Sequence, residues 1–103
     1  MIERRPIAFR RIAAAALAHI ETIVPRWLPE GRRIGREWVA RNPTREDRNP
    51  GSFRISLKNG RWSDFATADK GGDLISLCAF LFRLSQAEAA LRMAAMLGLD
   101  PHD

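Results

Sequence analysis

Cysteine is nearly absent from this chain, and with it most of what would suggest a metal site. One Cys (Cys78) and two His (His19, His102) occur in 103 residues. A lone Cys excludes an internal disulfide, and with those two His it cannot build a zinc cluster of ordinary spacing. Tyrosine is missing, and lysine is scarce: of 17 basic residues only Lys58 and Lys70 are not arginine. No long apolar run occurs either, since Leu74 to Phe82 is about half of the ~20 residues a membrane span needs. These absences point to a reducing, cytoplasmic location and to no membrane partner. Arg4, Arg5, Arg10 and Arg11 ahead of Ile12–Leu17 imitate a short targeting signal. His19 and Glu21 interrupt it while helical spacing continues beyond them, so a helix is the expectation there.

What remains is a basic chain able to fold. Apolar residues make up 46% of it, enough to bury a core, and its length suits a single domain over residues 1–103. The net charge of +5 is unevenly spread. Residues 26–61 hold ten basic and four acidic side chains, while residues 62–103 hold three and six. The positive potential therefore belongs to the middle of the chain. Arginine forks suit phosphates and base edges, so an anionic partner is favoured.

Residue periodicity sets out the elements. Apolar positions from Phe9 to Val24 recur at three- and four-residue steps, which predicts a helix from about Ile7 to Val24, within an N-terminal segment 1–27. Pro25 and Pro29 punctuate its end, and Gly31 and Gly35 frame a basic turn. A strand from Arg36 to Arg41 follows, then the polar loop Asn42–Gly51. Ser52 to Lys58 alternates strictly between apolar and polar residues. With Asn59-Gly60 as a two-residue type I′ turn and Arg61–Phe65 as the return, it reads as a hairpin. That register sets Leu57 opposite Trp62 and Arg54 opposite Phe65. Asp73 caps a helix over Leu74–Phe82, and Ser85 with Glu88 forms a capping box for another, ended by Gly98 and Pro101. The fold class is α+β: a small antiparallel sheet of about three strands, an N-terminal helix and two C-terminal helices.

Catalysis finds little support in this pattern, because neither His stands beside a nucleophile that a third group could orient. Ser63, Asp64, Asp69 and Asp73 have simpler roles at a strand end and a helix cap. Lys70-Gly71-Gly72-Asp73 lacks the spacing and the Lys-Ser/Thr pair of a phosphate-binding loop. The hairpin is more informative. Its alternation turns Phe53, Ile55, Leu57 and Trp62 inward and leaves Arg54, Ser56, Lys58, Arg61, Ser63 and Phe65 outward. A cationic face with one open ring can hold phosphates and stack a base, as single-strand binding requires. Arg36, Arg41, Arg45 and Arg48 extend the charge on neighbouring elements, and Trp38 offers a second ring.

The residue order also resembles a known family. Asn42-Pro43-Thr44-Arg45, Pro50-Gly51-Ser52-Phe53-Arg54-Ile55, Gly60 to Thr67, Gly71-Gly72-Asp73 with its apolar helix, and the closing Leu97-Gly98-Leu99 are similar to the zinc-binding N-terminal domain of bacterial and phage DNA primases. The likeness covers about residues 28–99. That family reads Cys-Pro-x-His, then a Pro-Ser-Phe strand, a hairpin ending in Cys-x-x-Cys, and a Gly-Gly-Asp turn. Here Asn42 stands at the first Cys, Arg45 at the His, and Asp64 and Thr67 at the last two Cys. None of these is a thiolate or imidazole, so the resemblance implies a relative without zinc and without any cofactor. A clasp of Asn42, Arg45, Asp64 and Thr67, together with the N-terminal helix, is expected to supply the stability that metal gives elsewhere.

Function by resemblance is then template recognition without catalysis: binding of single-stranded DNA as part of, or beside, a primase–helicase of a phage or other mobile element. The residues expected to carry it are Arg36, Trp38, Arg41, Arg45, Arg48, Arg54, Lys58, Arg61 and Phe65. The partners implied are single-stranded DNA and a primase catalytic domain or helicase. The alternative is a metal-free interaction module that docks such a partner through Met93 and Met96 of the last helix.

Overall fold

The computed structural model describes residues 5–46 and 51–103. It contains α1 (Phe9–Leu17), α2 (Ile20–Trp27), β1 (Arg32–Ile34), β2 (Glu37–Ala40), β3 (Phe53–Ser56), β4 (Trp62–Asp64), β5 (Lys70–Gly71), α3 (Leu74–Phe82) and α4 (Gln86–Leu97). The strands form one antiparallel sheet in chain order, β1-β2-β3-β4-β5. This is the expected α+β architecture with five strands in place of three. The two additional strands are the edges. β1 is exposed at all three residues and β5 has only two, so neither carries an apolar alternation that a sequence could reveal.

One face of the sheet carries the core. Phe53, Ile55 and Trp62 are buried with Ile12, Val24, Leu74, Leu77 and Met93 from the helices. The Trp62 ring lies 4.7 Å from that of Phe80 and 6.0 Å, edge-on, from that of Phe53. This inner face is the one the alternation of Ser52–Lys58 predicts. The helix expected from Ile7 to Val24 is instead two helices. At Ala18–His19 the turn tightens, with His19 N–H donating to Ala16 O, and the chain restarts from His19 O, which accepts from Thr22 and Ile23. Pro25 lies inside α2 and does not end it. Nothing in the alanine-rich stretch before His19 distinguishes a joint from a continuous helix.

The central hairpin also differs in register. Phe53 faces Asp64, Arg54 faces Ser63 and Ile55 faces Trp62, a slip of two residues from the expected pairing. Because side chains alternate with a period of two, each residue keeps its face. The turn is a four-residue loop, Leu57 to Gly60, in which Gly60 N–H donates to Ser56 O and only Gly60 takes a positive φ, +80°. Leu57 N–H donates to Arg36 O at 2.8 Å, which draws Leu57 out of the β4 ladder and toward the neighbouring turn. That bond wins over the type I′ turn that Asn59-Gly60 invites.

The C-terminal helices follow their caps closely. Asp73 accepts from Ser76 N–H at 2.8 Å, Ser85 and Glu88 exchange both bonds of a capping box, and Gly98 ends α4 in the left-handed conformation. α4 buries Ala89, Ala90, Met93 and Ala94. Met93, expected as an adaptable contact, is only 1% exposed and belongs to the core. The chain ends are tied together: Ala8 N–H donates to Pro101 O, Asp103 N–H to Pro6 O, and the Arg11 guanidinium to the carbonyls of Asp100 and His102. Among the described residues no single helix is long and apolar enough to cross a membrane.

Candidate nucleic-acid interface

The outer face of the sheet is built by register. Arg32 pairs with Val39, Val39 with Arg54, Arg54 with Ser63, and Ser63 with Lys70, so one row crosses all five strands. With strands ~4.8 Å apart, the row runs roughly 19 Å. A parallel row holds Ile34, Glu37 and Ser56, and Ser56 N–H donates to Arg61 O. On the other flank Phe65 N–H donates to Ser52 O, which extends the β3–β4 ladder and leaves the Phe65 ring 74% exposed. Arg32, Arg41 and Arg54 border an open cleft of about 410 Å³ floored by Ile34 and Val39.

The arginines on this face are not equivalent. Arg54 is engaged: Nη1 lies 3.2 Å from a Glu37 carboxylate oxygen, and Nε donates to Gly51 O. That pair is more than a third exposed on both sides, so it constrains the side chain more than it stabilises the fold. The side chains of Arg32, Arg41, Arg61 and Lys70 have no hydrogen bond or ion pair among the described residues.

Behind the end of β4 the expected clasp takes shape around Asp64, which is 0% exposed. Asn42 Nδ2 donates to Oδ2 at 2.9 Å, Ala66 N–H donates to Oδ1 at 2.9 Å, and Arg45 reaches the same carboxylate through Nε at 3.2 Å and Nη2 at 3.1 Å. Asn42 is held in turn, its Oδ1 accepting from Thr44 N–H and Thr44 Oγ1. Burial pushes the Asp64 carboxyl up. The bonds from Asn42, Ala66 and Arg45, with the Arg45 charge, outweigh it and hold the group below its ordinary value. Of the expected clasp, Asn42 and Arg45 thus converge on the carboxylate of Asp64. Thr67 does not join them: it is exposed and its hydroxyl accepts from Asp69 N–H. Among the described residues no group of three or more His, Cys, Asp and Glu is placed to hold a metal ion.

The remaining candidates separate. Arg45, fixed to Asp64, belongs to the clasp. Trp38 lies on the inner face opposite Arg33, its indole N–H donating to Leu28 O at 2.9 Å, so its ring is no part of the outer surface. Arg36 and Lys58 line a different cleft on the helix side. Arg48 falls outside the described residues. The outer face keeps Arg41, Arg54, Arg61 and Phe65 of the expected set and adds Arg32 and Lys70. Those two sit on the edge strands that periodicity did not reveal.

The arrangement of sheet and helices recurs in a solved structure. The chain matches a crystal structure of the Aquifex aeolicus primase (zinc-binding and RNA polymerase domains) with a TM-score of 0.75 and 20% identity. The fold is similar to part of a bacterial primase. The match covers 92% of this chain and 22% of the Aquifex chain, so this chain spans about a fifth of that protein's length. No protein-family model and no curated protein sequence matches the chain.

Proposed function

We propose that this chain is a non-catalytic, metal-independent nucleic-acid-binding module of primase type, and that single-stranded DNA lies across the outer face of its sheet. The observation that carries this reading is the row Arg32–Val39–Arg54–Ser63–Lys70, flanked by Arg41, Arg61 and the open ring of Phe65. Unpaired cations meet phosphates, and an exposed ring stacks a base without regard to its identity. The primase-like fold supports the template-binding role, with the matched fifth of the Aquifex chain read as its zinc-binding domain. A primase catalytic domain or a helicase is the protein partner this role calls for.

Fluorescence anisotropy with a labelled oligo(dT) at several salt concentrations tests the reading. Each phosphate neutralised on a single strand adds roughly 0.7 to the slope of log K against log salt. Binding that steepens with the number of cations on the face supports it, and salt-independent binding or none at low salt overturns it. Docking of a protein partner through α4 is the second reading. Met96 and Leu91 are exposed apolar residues of α4, and a shallow groove of about 230 Å³ lies between Met96, Trp27 and Phe82 at the end of α3. Self-association without DNA affinity favours that alternative.

A further inference from the structure

The joint between α1 and α2 opens onto a cleft of about 500 Å³ that the polynucleotide face does not include. Arg33, Arg36 and Lys58 line it, and they come from three different places: the inner side of β1, the β1–β2 turn and the β3–β4 loop. The bond from Leu57 N–H to Arg36 O fastens the two turns together, so Arg36 and Lys58 share one rim. Arg33 pairs with Glu21 on α2. Arg36 and Lys58 have no ion pair among the described residues.

Beside these cations Leu17, with the edges of the largely buried Ile20 and Leu57, gives the mostly polar lining an apolar patch, and Glu21 lines the same cleft. His19 and Thr22 stand where the helix is interrupted and line the same cleft. An apolar patch beside a pair of cations is what a nucleotide needs: a surface for the base and a separate place for phosphate. The volume lies within the roughly 300–1,000 Å³ usual for small-molecule sites.

We propose that this cleft binds a nucleotide, with Arg36 and Lys58 holding its phosphates, Arg33 beside them, and Leu17, Ile20 and Leu57 receiving the base. It lies on the opposite side of the sheet from the row through Arg32 and Lys70, so it is a second site and does not depend on the first. The phosphate can come from a free nucleoside triphosphate or from the 5′ end of a strand.

The test is an amide-resolved NMR titration of the full chain with ATP, with tripolyphosphate, and with oligo(dT) carrying either a 5′-phosphate or a 5′-hydroxyl. The amides of Thr22, Arg36 and Lys58 are expected to shift with ATP at a Kd on the order of 100 µM, while those of Arg32, Ser63 and Lys70 stay in place. The variant R36A/K58A changes two exposed side chains and should weaken ATP by about tenfold or more. Tripolyphosphate should bind more weakly than ATP. A preference for the 5′-phosphorylated oligonucleotide at these amides would assign the site to strand ends, and its absence to free nucleotides. No shift at millimolar ATP, an unchanged Kd in R36A/K58A, or tripolyphosphate binding as tightly as ATP would overturn the proposal.

Discussion

Arg45 and Arg41 stand four residues apart in the chain and do opposite things. Arg45 is folded in beside a fully buried carboxylate and is part of what holds the hairpin to the loop before it. Arg41 is exposed and has no partner among the described residues. The same contrast separates the two faces of the sheet. Asp64, on the inner side, is held by its donors. On the outer side Arg54 is tied to Glu37 and Gly51, while the side chains of Arg32, Arg41, Arg61 and Lys70 are left for something else. Arginine content alone therefore says little about a binding surface. What matters is which arginines the register places opposite a carboxylate.

The largest break in this contrast comes from the clasp. Asp64→Ala leaves Arg45 and Asn42 without their acceptor in a desolvated site, and by analogy with other buried ion pairs should cost about 3–5 kcal/mol. Chemical denaturation would show it as a lower midpoint. A variant as stable as the parent would mean that the clasp does not hold the fold together. On the outer face, R32A/R41A/K70A should leave that midpoint within about 0.5 kcal/mol, because exposed unpaired side chains contribute little to the fold. It should instead lower the salt slope for oligo(dT) by about 2, the loss of three phosphate contacts. One variant then changes stability and the other binding.

Next in size is Gly71. A Cβ there would collide with Ser76 Oγ and the Trp62 indole, so Gly71→Ala should cost roughly 1–3 kcal/mol, read from the thermal midpoint. The pH dependence sharpens the account of Asp64. Its carboxyl is held below the ordinary 3.8 when folded, so its contribution is fully present above that value and is lost as pH falls through the lower folded value. Arg45→Ala removes the Nε and Nη2 donors and the nearby charge, bringing the folded value back up. Acid unfolding should then begin at a higher pH than in the parent. An unmoved acid limb would separate Arg45 from the clasp. The smallest effect is at a cap: Asp73→Ala should cost about 1 kcal/mol, because Ser76 N–H loses its acceptor.

The sequence carried the faces of the central strands better than their register. Alternation from Ser52 to Lys58 assigned inside and outside correctly, since a slip of two residues leaves every side chain where it was. The slip was hidden because Asn59-Gly60 is a strong local turn signal, while the competing bond from Leu57 N–H to Arg36 O joins residues far apart in the chain. Helix caps at Asp73, Ser85 and Gly98 were legible because each is a local motif with its own hydrogen bonds. The joint at His19 left no comparable mark. In the candidate interface, Arg32 and Lys70 carry no sequence signal, because edge strands of two or three residues with none buried have no apolar rhythm. Trp38 was misplaced for a related reason: without β1 in view, its inner-face position opposite Arg33 could not be read. The clasp was anticipated at Asn42, Arg45 and Asp64 only through the family resemblance, since no spacing rule brings an Asn, an Arg and an Asp together across two strands.

Amide chemical-shift mapping of the full chain with oligo(dT) puts the central idea to its most direct trial. Perturbations concentrated at Arg32, Arg41, Arg54, Ser63, Phe65 and Lys70, fading as salt rises, are the predicted result. Perturbations confined to α4, or none at saturating oligonucleotide in low salt, would contradict it.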